Sequence, residues 1–198
     1  MRKRLLSLFA CLTVAPVAAC GGEADAELVG GDGYAFEVPA GWSDVTGSTR
    51  KTTDLLGDLS GSIAELYDTS VVSGGKSDRR RISFSVRVYE DYPPGYDSRR
   101  LVDHNMAVFE NPDQVDGLLP GGFDIDYARR EPQRIDLGGE TAYEVRYRVT
   151  SPITKLNVLQ VFAMHEGTAY VATLRAVPEV FEPDGPEVEQ ILDSWRWD

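Results

Sequence analysis

The stretch KLNVLQVFAMHEGTAYVATLR, residues 155–175, decides how the rest of the chain is arranged. Both halves have the period of two that is typical of strands, and Glu166-Gly167 between them is a turn signal, so the stretch predicts a β-hairpin. The first strand is apolar on both faces: Leu156, Val158, Phe162 and Met164 lie on one, and Leu159, Val161 and Ala163 on the other. Such a strand belongs in the middle of a sheet that is covered on both sides.

Further strands are predicted on the N-terminal side of this hairpin. Residues 141–150 alternate most regularly, and residues 81–90 and 34–38 have the same period. Two shorter strands are expected at residues 123–130 and 133–137, where apolar residues are bounded by turn-forming ones. The chain therefore contains several strands joined by short connections, which favours an antiparallel sheet.

Three segments have the apolar spacing of helices. They are residues 48–69, a segment from Ser98 to about residue 110, and a segment that begins at Pro186. Their predicted inner residues are Leu55, Leu59, Ile63 and Leu66; Leu101, Val102, Met106 and Phe109; and Val188, Ile191, Leu192 and Trp195. Helices before, between and after hairpin-linked strands predict an α+β fold, a single domain in which helices flank an antiparallel sheet as an α/β/α sandwich.

Residues 1–19 have the order of an export signal. The positive charges of Arg2, Lys3 and Arg4 precede an apolar run that is shorter than the roughly 20 residues a membrane span needs. The run ends in VAAC at residues 17–20, which resembles the lipobox of bacterial lipoproteins. The resemblance implies that Cys20 carries a lipid and becomes the first mature residue. The alternative is ordinary secretion with a free thiol at Cys20, which is unfavourable in an oxidising compartment.

The predicted mature chain is strongly acidic. The leader contains three of the 20 basic residues and none of the 32 acidic ones, so 17 minus 32 gives a mature net charge of −15. This charge repels nucleic acid and anionic lipid headgroups, and we predict no nucleic-acid partner. Residues 20–33 are predicted to be the lipidated cysteine and a flexible, acidic, glycine-rich tether of roughly 20 Å. Residues 34–198 are predicted to be the folded domain.

The two ends of this domain resemble a known family. The sequence YAFEVPAGW at residues 34–42 resembles the first strand and turn of the PsbP/Mog1-like fold, particularly in the LpqN/LpqT-type lipoproteins of actinobacteria. The hairpin around residues 158–174, AVP at residues 176–178 and a terminal helix ending in ILDSWRW at residues 191–197 are similar too. The resemblance covers nearly all of residues 34–197. The resemblance implies a lipid-anchored accessory protein that is not an enzyme. The motifs that carry it are packing motifs and contain no catalytic signature.

Tests for catalytic and metal-binding patterns in the sequence give no match. His104 and His165 are the two histidines, and neither has the spacing of a zinc motif. The sequence GDLSG at residues 57–61 lacks the spacing of a serine hydrolase elbow. Asp124 and Asp126 share a strand face, but solvated surface carboxylates are a more common arrangement than an acid/base pair. We therefore predict no catalytic residue, no metal site and no cofactor.

Three arginine runs, at residues 79–81, 99–100 and 129–130, interrupt the acidic sequence. They would form a socket for a phosphate or carboxylate group if they converged, and the alternative is pairing with neighbouring acids.

The sequence as a whole predicts an accessory protein at the extracytoplasmic face of the cell membrane, anchored by the Cys20 lipid. It would bind an envelope protein or support the assembly or export of envelope lipids. One alternative is a binder of an amphipathic or lipid ligand, held between sheet and helix by Leu55, Leu159 and Val161. The other is an envelope hydrolase.

Overall fold

The structure is a computed structural model that describes residues 26–47, 69–73, 82–90, 92–110, 124–152, 155–180 and 185–198. The lipobox and all but the last residue of the predicted helix at residues 48–69 lie outside these ranges. The elements, in chain order, are β1 Glu27–Gly31, β2 Tyr34–Val38, β3 Trp42–Asp44, β4 Thr69–Ser73, β5 Ser83–Tyr89, α1 Ser98–Glu110, β6 Asp124–Tyr127, β7 Gln133–Leu137, β8 Glu140–Thr150, β9 Lys155–His165, β10 Thr168–Ala176, α2 Pro186–Asp193 and β11 Arg196–Trp197.

The larger sheet has the strand order β3-β4-β5-β10-β9-β8-β6, and β7 pairs with β8 next to β6. Every pair in it is antiparallel. The predicted hairpin is confirmed, because β9 and β10 pair along their length from His165↔Thr168 to Asn157↔Ala176 and lie inside the sheet. The α+β prediction is confirmed as well.

Two apolar clusters cover the two faces of this sheet. Leu159, Val161 and Ala163 of β9 belong to the cluster that contains β2 and α2. Val158 and Phe162 belong to the other cluster, together with Leu101 and Val102 of α1. The alternation read from the sequence is therefore confirmed, and it explains why β9 is apolar on both faces. Burying a valine, leucine or phenylalanine side chain contributes about 1.5–3 kcal/mol to the stability of the fold.

A second sheet, which the sequence did not predict, covers one of these faces. It has the order β1-β2-β11. Residues 27–31, which the sequence assigns to the flexible tether, form β1 and pair with β2 from Glu27↔Val38 to Gly31↔Tyr34. Only Val29 of this strand is buried, so its own sequence has little strand signal. The pairing with β2 stabilises it.

The C-terminal helix is shorter than predicted. It begins at Pro186 as expected, but it ends at Asp193, and Arg196 and Trp197 pair with β2 as β11. Trp195 is buried as the helical spacing indicated, with 3% of its surface exposed. The apolar spacing identified the buried face but could not detect that the last residues pair with β2.

The strand registers define two ends of the domain. The tip end contains the β7–β8 turn at Gly138, the β9–β10 turn at Glu166 and the first residue of α1, Ser98. The opposite end contains Glu27 at the start of β1 and Ser83 at the start of β5, which pairs with the end of β10. All positions below are given relative to these two ends.

The backbone of Glu166, in the β9–β10 turn, has a conformation that is unfavourable for glutamate. Glu166 has φ +48° and Gly167 has φ +87°, which is the pattern of a two-residue hairpin turn that favours Asn-Gly. Because asparagine tolerates a positive φ better than glutamate does, we expect Glu166→Asn to raise the free energy of unfolding by about 0.5 to 1 kcal/mol. Chemical denaturation measures this, with Glu187→Asn at an exposed helical position as the control. A destabilised Glu166→Asn protein would contradict the turn geometry.

Candidate functional site

A cavity of about 490 Å³ opens at the tip end, between the start of α1 and the two turns. It has an acidic and aromatic character, since three carboxylates and two tyrosine rings line it together with one arginine. Its lining residues are Tyr96, Asp97, Ser98, Arg99, Glu140, Thr141, Tyr143, Met164, Glu166 and Gly167. The volume is in the range that small-molecule or side-chain binding sites have.

Two polar residues stabilise the start of α1: one caps the helix and the other joins it to the sheet. The backbone N–H of Arg100 donates to Oδ1 of Asp97 at 2.8 Å, so Asp97 is the N-cap of the helix. The backbone N–H of Met164 donates to Oγ of buried Ser98 at 2.9 Å. The Ser98 hydroxyl therefore has a structural role, connecting the helix to β9, and it lies away from solvent.

Arg99, the basic residue of the lining, is already paired. Its Nε donates to Oδ2 of Asp103 at 3.0 Å, and its Nη2 lies 3.5 Å from Oε2 of Glu131. The hydrogen bond with Asp103 raises the pKa of Arg99 above its ordinary value. Its guanidinium also lies 5.6 Å from the ring centre of Tyr143, within cation–π range. The carboxylates of Asp97, Glu140 and Glu166 therefore outnumber the basic groups in this cavity.

Of the two alternatives for the arginine runs, an anion socket or pairing with neighbouring groups, the contacts of Arg99, Arg100 and Arg129 support pairing. Arg99 contacts acids, Arg100 donates to the carbonyl of Gly95 at 3.0 Å, and Arg129 donates to Gln133 at 2.8 Å. The run at residues 79–81 lies outside the described ranges.

His165 lies beside the cavity as a packing residue. Its ring stacks on Trp197, with 4.6 Å between centres and 11° between planes. Its Nδ1 is 3.5 Å from Oε1 of Glu140, across the tip end. The other histidine, His104, is exposed on α1. Among the described residues, no group of three or more His, Cys, Asp or Glu side chains is placed to hold a metal ion.

The remaining polar candidates are dispersed. Asp124 and Asp126 are exposed on β6, and Asp126 faces Arg148 across the strand pair, as expected for surface carboxylates. The hydroxyl of Thr141 accepts a hydrogen bond from Nη2 of Arg134 at 3.0 Å. Each hydroxyl that lines the tip cavity at Ser98 and Thr141 is thus engaged in a structural bond, and neither is seen to contact a general base.

Comparison with solved structures identifies the architecture. The solution structure of cyanobacterial PsbP (CyanoP) from Synechocystis sp. PCC 6803 is similar, with a TM-score of 0.59 and 17% identity over 93% of this chain and all of that chain. The chain has the PsbP fold. LpqN of Mycobacterium tuberculosis, described as involved in cell envelope biogenesis, is similar at a TM-score of 0.48 and 14% identity, over 86% of this chain and 88% of LpqN. No protein-family model matches the sequence, and neither does any curated protein.

The PsbP fold predicted from YAFEVPAGW is therefore confirmed. In the described part of this PsbP fold, neither helix is both long and apolar enough to cross a membrane.

The alternative of an amphipathic pocket between sheet and helix is not supported by the described residues. Leu159 and Val161 are each 1% exposed and are packed in the core, and Leu55 lies outside the described residues. A different cavity, of about 370 Å³, opens at the opposite end between the start of β5 and α2. It is lined by Ile82, Pro178, Glu179, Val180, Gly185, Pro186, Glu187 and Val188.

The face of the larger sheet that carries α1 contains a row of hydrogen-bonded side chains, of which Tyr147 is buried and Gln160 and Thr173 are half-buried. The hydroxyl of Tyr147 donates to Oε1 of Gln160 at 2.9 Å, and Nε2 of Gln160 donates to Oγ1 of Thr173 at 3.1 Å. Burial raises the pKa of the Tyr147 hydroxyl well above its usual range, and burial also raises the pKa of nearby Tyr127. Both phenols are therefore held in the neutral form.

The buried Tyr147 hydroxyl makes the folded protein less stable at alkaline pH. The pKa of Tyr147 is higher in the folded than in the unfolded state, so the stability is fully present below about pH 10 and is lost as the pH rises above it. We expect Tyr147→Phe to reduce this alkaline decline without abolishing it, because Tyr127 acts in the same direction. It should also cost about 1 kcal/mol at neutral pH through the lost hydrogen bond. Denaturant unfolding between neutral and alkaline pH measures both effects. If the free energy of unfolding of Tyr147→Phe fell with pH as steeply as that of the wild type, the raised pKa of Tyr147 would be contradicted.

The sequence missed the residues that line the tip cavity. Tyr96 and Asp97 are far from Glu140 and from Glu166 in the chain, and no motif joins these three segments. The sequence contained one local signal: it marked a helix start and two turns, and helix starts and turns lie at the ends of a sheet. Only the strand register shows that these three features share one end of the PsbP fold.

Proposed function

We propose that the chain is a lipid-anchored, non-catalytic binding protein at the extracytoplasmic face of the cell membrane, and that its tip cavity contacts an envelope partner. The observation that carries the proposal is the VAAC sequence at residues 17–20, which ends six residues before the first strand of the domain. An export signal followed by an acylated Cys20 would place this PsbP fold at a membrane surface.

A binding role is supported by the chemistry of the cavity. The hydroxyls of Ser98 and Thr141 serve the fold, and Trp197 covers one face of the His165 ring. What the cavity offers is a concave surface with carboxylates and the aromatic ring of Tyr96. These groups suit recognition of a partner more than bond making or breaking.

The surplus of carboxylates favours a basic group on the partner. Asp97, Glu140 and Glu166 carry three negative charges, whereas Arg99 is engaged by Asp103 and Glu131. A lysine or arginine side chain fits such a cavity, because carboxylates and aromatic faces both attract a cation. An acidic domain would also attract a basic partner over a distance.

The test is covalent capture in the native host. We would cross-link the tagged protein in intact cells and compare wild type with Glu140→Gln/Glu166→Gln, which removes two charges at nearly constant shape. Recovery of the partner should fall roughly tenfold, as expected for the loss of about 1.4 kcal/mol of binding free energy. The matched control is Glu187→Gln/Glu189→Gln, two exposed acids on α2, and it should recover as much partner as wild type does.

A second arm tests the anchor. Cys20→Ser should release the protein from the membrane fraction and lose the partner. Mass spectrometry of the native protein should find an acylated Cys20, and an unmodified thiol there would refute the anchor. Equal recovery by the cavity variant and wild type would refute the binding surface.

A further inference from the structure

The first strand determines where the tether joins the domain. β1 pairs with β2 from Glu27↔Val38 to Gly31↔Tyr34. Tyr34 pairs with Trp197, whose ring stacks on His165 at the tip end, whereas Phe36 packs against Phe84 nearer the opposite end. β1 therefore runs from the opposite end toward the tip end. Beyond Gly31 the chain turns at Gly33, where an added Cβ would lie 2.6 Å from the hydroxyl oxygen of Tyr170, a residue near the tip end of β10. Residue 26, the first residue that the structure describes, therefore lies at the end away from the tip cavity.

The tether is shorter than the sequence indicated. Six residues, 21–26, separate Cys20 from β1, where the sequence analysis allowed thirteen. Seven Cα steps span at most about 25 Å when fully extended, and a flexible coil of six residues spans about 12–15 Å. To bring the tip end to the bilayer, the tether would have to run back along β1, about 13 Å, and then on past the turn at Gly33. That path takes most of its maximum reach.

We propose that the domain is held with a fixed polarity: the end that carries Glu27 and Ala40 faces the bilayer, and the tip cavity faces away from it. This inference rests on the acylation of Cys20 proposed above. The cavity is then presented to a partner domain that projects beyond the bilayer surface, and a partner confined to the bilayer does not reach it. The end near the bilayer does not insert, because exposed Glu179 and Glu187 lie at its cavity and moving charged carboxylates from water into the bilayer is unfavourable.

The experiment measures the height of each end above a membrane. Cys20 is the sole cysteine of the mature sequence and is blocked by its lipid, so one introduced cysteine takes a single fluorophore. The two sites are Ala40→Cys in the β2–β3 turn and Glu166→Cys at the tip, both exposed. The full-length lipidated protein is reconstituted in phosphatidylcholine vesicles that contain an acceptor-labelled lipid.

The two labels should lie at different heights, by about 20 Å from the rise of the strands between them, so we expect roughly twofold higher energy transfer from Ala40→Cys than from Glu166→Cys. Equal transfer, or stronger transfer from the tip, would overturn the fixed polarity. Protein that fails to float with the vesicles would instead overturn the acylation. In that case a Cys20→Ser chain whose residues 1–19 are replaced by a polyhistidine tag, bound to nickel-chelating lipid, still tests the polarity with the same two labels, each again on the one cysteine present.

Discussion

Replacing Trp195 by alanine is expected to lower the free energy of unfolding by about 3–5 kcal/mol, which is a large part of the total stability of a domain of this size. Trp195 is 3% exposed and lies where α2, β2 and β11 meet. Its ring stacks on Tyr34, with 4.7 Å between centres and 6° between planes, and on Phe36 at 5.7 Å. Removing it leaves a cavity that these rings cannot fill without losing each other's contacts.

Two variants separate the loss of the ring from other effects. Among the described residues, no group accepts a hydrogen bond from the buried Nε1 of Trp195. Trp195→Phe keeps most of the stacked ring and removes that unpaired N–H, so it should cost less than about 1.5 kcal/mol. Leu28→Ala, at a side chain that is 54% exposed, should change stability by less than about 0.5 kcal/mol. Urea denaturation followed by circular dichroism measures all three, and a loss below 1 kcal/mol for Trp195→Ala would contradict the packing.

Gly33→Ala is expected to cost about 2–5 kcal/mol for two separate reasons. Gly33 has φ +80°, where an alanine costs about 1–2 kcal/mol. A Cβ at this position would also lie 2.6 Å from the hydroxyl oxygen of Tyr170, a distance that forces a neighbour to move. The Tyr170 ring packs edge-on against Tyr34 and Trp197, at 5.7 and 4.9 Å, so it has little freedom to do so. The clash adds about 1–3 kcal/mol.

Gly139→Ala is the matched control for this substitution. Gly139 has φ +89°, but nothing lies within 4 Å of the position of its Cβ, so it reports the backbone cost alone. The double variant Gly33→Ala/Tyr170→Phe removes the oxygen that clashes and should recover part of the loss. If Gly33→Ala costs no more than Gly139→Ala, the contact between the β1–β2 turn and Tyr170 is wrong.

These substitutions test the part of the fold that the sequence did not predict. The central strands of the larger sheet were predictable because each has an alternating apolar pattern, as Leu159 and Phe162 on opposite faces of β9 show. Its strands β3 and β4 were not predicted. The small sheet was not, because β1 buries only Val29 and β11 has two residues. Their stability comes from pairing with β2, which is remote from β11 in the chain, and such pairing leaves no local pattern.

The same reason explains what could be predicted of the site. The start of α1 near Ser98 and the Glu166-Gly167 turn were predicted as local features, since capping and turn chemistry depend on a few consecutive residues, although the N-cap is Asp97 and not Ser98. Their closeness was not readable. It depends on the register that places Ser98 beside Met164 and Glu140 beside His165.

The sequence by itself determined the α+β class, the central hairpin, the acidic character of the domain and the expectation of a lipid at Cys20, because periodicity, charge and short motifs are properties of consecutive residues. Only the tertiary structure decided that residues 27–31 belong to the domain, that Arg196 and Trp197 complete a second sheet, and that an acidic cavity lies at the end away from the start of β1. Each of these depends on which distant segments pair, and pairing is set by the packing of the whole chain.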